Sequence, residues 1–107
     1  MLDRMAAGSR YDEIAAELAS RGVQSGKMFG MPTLKADGKA IAGLTDDGMV
    51  FKLPDPAVRE RALALDGAHL FEPMAGRQMK EWVVVPQAHA KQWLSLAETA
   101  LTLRASP

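Results

Sequence analysis

Ala36–Leu53 reads ADGKAIAGLTDDGMVFKL, and the placing of its Asp and Gly residues decides the fold. Asp37-Gly38 stands between two strand-like runs. An Asp-Gly pair suits a type I′ turn, in which both central residues take positive φ. Lys39–Thr45 then reads as a strand, Asp46-Asp47-Gly48 as a second turn, and Met49–Leu53 as the next strand. In that last strand Met49, Phe51 and Leu53 fall on one face, and Val50 and Lys52 on the other. Tight turns join antiparallel strands, because parallel neighbours need a long crossover. Upstream, Met28, Phe29, Met31 and Leu34 are interrupted by Gly30 and Pro32. Proline has no N–H for a ladder, so this first strand is expected at an edge, at a bulge or as an irregular entry. The result is a three-stranded antiparallel meander.

The flanks switch to a helical period. Tyr11, Ile14, Ala15, Leu18 and Ala19 fall on one helical face, with Ser9 as a candidate N-cap and Gly22 as a stop. A helix is expected over residues 10–21, after a flexible leader at 1–8. After the meander, Asp55 is a good N-cap and Pro56 suits the first helical position; Val58, Ala62 and Leu65 follow at helical spacing up to Gly67. Leu70–Met74 reads as a short strand, at an edge because it contains Pro73, and Ala75-Gly76-Arg77 as a turn. Trp82-Val83-Val84-Val85 is the most β-prone run in the chain and reads as a buried strand ended by Pro86. From Gln87 to Arg104 the helical period returns, with Ala90, Trp93, Leu94, Ala97 and Leu101 on one broad apolar side. The expected order is α-β(3)-α-β(2)-α. Strands in runs between helices argue an α+β fold with an antiparallel sheet, one face of it covered by the first and last helices. The 107 residues suit one domain, 1–107.

Composition narrows the chemistry. Thirteen basic residues balance thirteen acidic ones, whereas a domain built on phosphate backbone usually carries a basic excess. Cysteine is absent, which removes disulfides, thiolate nucleophiles and Cys-based zinc sites. Lys27–Gly43 holds glycines and lysines but no phosphate-loop motif, and Gly38 leads into a strand rather than a helix N-terminus. His69 and His89 form no ligand pair, and no nucleophile elbow is present, so no catalytic, cofactor-binding or metal-ligating residue is expected. No apolar window reaches the length of a membrane span, and a cytoplasmic location is the default. Seven methionines are the oddity; Met28, Met31, Met49, Met74 and Met79 fall in or beside the sheet. They fit either gap-filling in a small core or an adaptable binding face. Lys27, Lys35, Lys39 and Lys52 lie in the meander, with Asp37, Asp46 and Asp47 at its turns. Lysines on strands commonly guard against edge pairing.

Several short patterns in this order carry a family resemblance. Lys27-Met28-Phe29-Gly30, Asp37-Gly38-Lys39, Phe51-Lys52-Leu53 and Trp82-Val83-Val84-Val85-Pro86 before a final helix resemble the N-terminal domain of the TfoX (Sxy) competence regulators, over residues 10–103. Met31-Pro32-Thr33-Leu34-Lys35 and the Trp-Val-x-Val-Pro run are similar to the YjbR (MmcQ-like) proteins. The resemblance implies the same α-β(3)-α-β(2)-α order and supplies no catalytic residue. It implies a small non-enzymatic regulatory or protein-interaction module that self-associates as a dimer or binds a protein partner. The expected interaction surface is Met28, Met31, Lys35, Lys39, Phe51, Lys52 and Trp82. Two alternatives are nucleic-acid binding through the meander lysines and a small-molecule pocket near Trp82 and Trp93.

Overall fold

The computed structural model describes residues 2–28, 30–74 and 76–104, the side chains of residues 2–7 and 74 excepted. Met1, Phe29, Ala75 and the Met74 side chain, which enter the readings above, lie outside the described residues. The elements are α1 (Leu2–Ala19), β1 (Val23–Met28), β2 (Met31–Ala36), β3 (Lys39–Thr45), β4 (Gly48–Lys52), α2 (Pro56–Leu63), β5 (His69–Met74), β6 (Arg77–Pro86), a 3-10 helix (Gln87–Gln92) and α3 (Trp93–Leu103). The strands form one six-stranded sheet in the order β1-β2-β3-β4-β6-β5. All neighbours are antiparallel. Among the described residues no helix is long and apolar enough to cross a membrane.

The α+β class and the antiparallel sheet stand as expected, and β1 is the addition to the expected order. Met28–Leu34 is not one irregular strand. Met28 faces Met31 across a two-residue connection in which Gly30 has φ +75°. Pairs in such a hairpin alternate between bonded and non-bonded, starting with a bonded pair at the turn. Lys27↔Pro32 is therefore non-bonded, and the N–H that Pro32 lacks would have pointed at β3. The β2–β3 ladder accordingly begins only at Thr33↔Gly43. Proline thus sits inside a sheet without breaking a bond, by ending the ladder on one side.

The Asp-Gly hairpin is formed as expected, with φ +54° at Asp37 and +77° at Gly38. On β3, Leu34 faces Ala42 but Lys35 faces Ala40, so Ile41 is an extra residue. That bulge lets Ile41 and Ala42 both join the helix-side core while Ala40 turns to the opposite face. Asp55 caps α2, its Oδ1 accepting from Ala57 N at 2.9 Å and Val58 N at 3.4 Å, with Pro56 in the first turn.

Two helices differ from expectation. α1 begins at Leu2, so residues 2–8, expected as a leader, are helical and Ser9 lies inside the helix rather than at its cap. Leu2, Arg4, Met5, Ala6 and Ala7 are strong helix formers, and a serine alone does not stop a helix that precedes it. The last helix is broken. A 3-10 segment runs to Gln92, with His89 at φ −106°, ψ 24°, before α3 starts at Trp93. Tertiary tethers account for the break. Ala90 O accepts from Arg10 Nε at 3.2 Å, and His89 Nε2 meets Asp66 O at 2.8 Å. Trp93 Nε1 donates to Val85 O at 3.2 Å, fixing α3 to the end of β6.

The main core lies between the sheet and the helices. Leu18 and Ile14 of α1, Trp93 and Ala97 of α3, Phe51 of β4 and Val83 of β6 are among its buried members. Arg104 then ties the end of α3 to the β2–β3 hairpin, with Nη2 2.9 Å from Asp37 Oδ2.

Two expected outcomes follow from this packing. Gly48 has φ +148°, and a Cβ there would drive into the Val85 carbonyl. Gly48→Ala should lower unfolding free energy by about 3 kcal/mol in urea titration, against about 1 kcal/mol for Gly38→Ala at the open turn. Tyr11, the sole tyrosine, is buried with no partner for its hydroxyl among the described residues. Burial, with a smaller push from the Asp12 carboxylate, raises its phenol to about 12. The folded chain holds this proton more tightly than the unfolded chain, so the associated stability is complete below pH about 10 and is lost as pH rises towards about 12. Tyr11→Phe should remove that alkaline loss, read by denaturation at stepped pH.

Candidate interaction surface

A sheet strand that is apolar at consecutive positions must bury both faces. β4 and β6 are such strands. Met49 and Phe51 of β4, with Val83 and Val85 of β6, point into the helix-side core, and Val50, Trp82 and Val84 point the other way. The opposite face carries its own cluster of Val50, Phe71, Trp82 and Val84, with Met28, Met31, Ala40 and Met79 packed against it. Every one of these residues lies on a strand, so no described helix contributes to the cover.

Exposure separates floor from cover. Val50 is 0%, Val84 2%, Trp82 6% and Phe71 8% exposed. Met28, Met31 and Met79 are half-buried around them, as are Lys35 and Lys52. Glycines make room for this cover. A Cβ on Gly43 would meet Met31 Cε at 2.9 Å and Val50 Cγ1 at 3.4 Å, so the Met31 thioether lies across β3 where a side chain is missing. A Cβ on Gly26 would lie 3.3 Å from Lys35 Cε, so the Lys35 stem crosses β1 in the same way. Thioethers and lysine stems are unbranched and flexible, a cover that conforms to what it touches.

The charge on this face has one sign over four strands. By strand alternation and register, the positions of β1 to β4 on this side include Lys35 and Lys52 and no carboxylate. At the rim, His69 Nε2 of β5 lies 4.0 Å from Asp47 Oδ2 of the β3–β4 turn.

Five of the seven expected surface residues therefore share a face: Met28, Met31, Lys35, Lys52 and Trp82. The other two do not. Phe51 is fully buried under the helices, the alternation with Val50 sending it to the opposite side. Lys39 pairs with Ala36, a helix-side residue, and stands exposed beside the hairpin turn. Val50, Phe71 and Val84 are members outside the expected surface, and Met79 was named among the sheet methionines without being placed on it. The signal for Val84 was its spacing from Trp82. Phe71 and Met79 were obscured by register irregularities between β5 and β6, which break simple alternation.

Trp82 and Trp93, expected to flank one pocket, belong to clusters on opposite faces of the sheet. The histidines each clip the connection after α2, His69 Nδ1 lying 3.1 Å from Gly67 O and His89 Nε2 2.8 Å from Asp66 O. Among the described residues no three His, Asp or Glu side chains gather as for a metal ion. No family model, no curated protein and no solved structure matches the chain.

Floor and cover should separate by substitution. Trp82→Ala, which empties the floor, should lower stability by about 3 kcal/mol, and Lys52→Ala by less than about 0.5 kcal/mol, in chemical denaturation.

Proposed function

We propose that the chain is a small non-enzymatic interaction module of the TfoX N-terminal kind, acting in the cytoplasm, whose strand-only sheet face binds a protein partner. The observation that carries this reading is the cluster of Val50, Phe71, Trp82 and Val84, closed by methionines and lysine stems rather than by a helix. Methionines also fill gaps in cores, and a cover of thioethers and lysine stems repacks readily around an incoming apolar group. Lys35 and Lys52, with no carboxylate beside them on β1 to β4, favour a partner segment that carries Asp or Glu around an apolar anchor.

The same lysines are what a nucleic-acid reading would use. Two features weigh against it. Lys39 lies on the other side of the sheet, and Trp82 and Phe71 are buried beneath their neighbours rather than open to stack a base.

The test is a displayed random-peptide selection against the whole chain, followed by titration of the selected peptides. Enriched peptides should pair acidic with apolar residues. The Lys35→Glu, Lys52→Glu double variant should weaken them at least about tenfold, about 1.4 kcal/mol, while Lys39→Glu leaves them unchanged. Absence of enrichment would overturn the reading. So would salt-sensitive binding of a single-stranded oligonucleotide that depends on Lys39.

A further inference from the structure

The two edges of the sheet are built differently. β5 contains Pro73, and its register with β6 is irregular between Leu70 and Phe71 and again between Phe71 and Met74. Bends and a missing donor are the ordinary guards of a free edge. β1 has neither. Its register with β2 runs unbroken from Val23↔Ala36 to Met28↔Met31, it contains no proline, and Gln24, Ser25 and Lys27 are exposed. The alternation fixed at the hairpin turn gives Gln24, Gly26 and Met28 the bonds to β2. Val23, Ser25 and Lys27 therefore point their N–H and C=O groups away from the sheet. Among the described residues these outward groups find no backbone partner.

We infer that this edge pairs antiparallel with the β1 strand of a second copy, about a two-fold axis through Ser25. The five residues Val23–Lys27 pair among themselves about that residue. Ser25 meets Ser25 of the second copy and the two exchange both backbone bonds. Val23 meets Lys27 and Gln24 meets Gly26, so no like charges stand opposed and a larger side chain faces a smaller one. This axis leaves over only Met28, whose backbone bonds go to β2, whereas an axis at Gly26 would leave the outward groups of Val23 beyond the end of the partner strand. An isologous contact of this kind closes on itself and does not propagate into fibres, since the other edge is guarded. A net charge of zero removes long-range repulsion between copies. The product is a continuous sheet across two chains, in which both strand-only faces remain open. The inference uses the edge alone and does not depend on the use made of the face.

The experiment is sedimentation velocity over a dilution series of the whole chain, with four variants checked for unchanged melting temperature at a concentration where the wild type is monomeric. The wild type should move from monomer to dimer as concentration rises. Ser25→Asp and Ser25→Lys should each stay monomeric, because each sets like charges against themselves at the axis. An equal mixture of the two should recover the dimer mass. Ser25→Pro, which removes an outward N–H and no bond to β2, should also stay monomeric, and Lys52→Glu on the face should dimerise as the wild type does. A wild type that is monomeric at its highest soluble concentration overturns the inference. So does a Ser25→Asp variant with the wild-type mass, a charge-swapped mixture that fails to associate, or loss of the dimer in Lys52→Glu.

Discussion

The pairing of β4 with β6 is the contact on which the rest of the fold rests. Both strands are apolar at successive positions, and their register sets Met49 against Val85, Val50 against Val84 and Phe51 against Val83. This single ladder makes two apolar surfaces back to back. One is large enough to hold α1, α2 and α3. The other is smaller and is closed by the sheet's own outer hairpins. Burial of side chains such as Phe51 and Trp93 stabilises by about 2–3 kcal/mol each, so the helix side carries most of the favourable term.

The helices are then placed by polar ties rather than by apolar contact alone. Trp93 is the clearest case, its ring in the core and its Nε1 on the carbonyl of Val85. That bond fixes where α3 can begin, and the 3-10 segment absorbs the mismatch between the end of β6 and the start of the helix. Arg10 and His89 hold the same segment from α1 and from the loop after α2. At the far end, Arg104 reaches Asp37, the residue held at positive φ in the hairpin turn. The exposed ion pair itself adds little. Its effect is to align the end of α3 with the β2–β3 turn.

The elements legible in the sequence were those whose local chemistry and packing agree. β3 and the Asp37-Gly38 turn, α2 with its Asp55 cap, and the Trp82–Val85 run all fall in this class. β1 was not legible because VQSGKM buries only Val23 and shows no apolar alternation; tertiary pairing alone makes it a strand. The break at His89 was invisible for the same reason, since it arises from partners distant in sequence. On the candidate surface, Met28, Met31, Lys35, Lys52 and Trp82 were named in the sequence, but alternation within one strand would set Met28 and Met31 on opposite faces, and the β1–β2 hairpin is what brings them together. Alternation placed Phe51 with Met49 and Leu53, so its grouping with the opposite face ran against its own period. The face taken by Phe71 and Met79 lay beyond reach, because irregular pairing between β5 and β6 cannot be read from residue spacing.

Pro32 has a consequence for motion. By ending the β2–β3 ladder at Thr33, it leaves the tip of the β1–β2 hairpin bonded only within itself. Met28 and Met31, two of the three methionines that close the small cluster, sit at that tip. A segment held by few ladder bonds opens at a lower free energy than the body it joins. Met28 and Met31 are thus held to the sheet by fewer ladder bonds than the residues of the helix-side core. The cover of the small cluster and the stability of the domain are separately adjustable, by the choice of one residue that cannot donate a hydrogen bond.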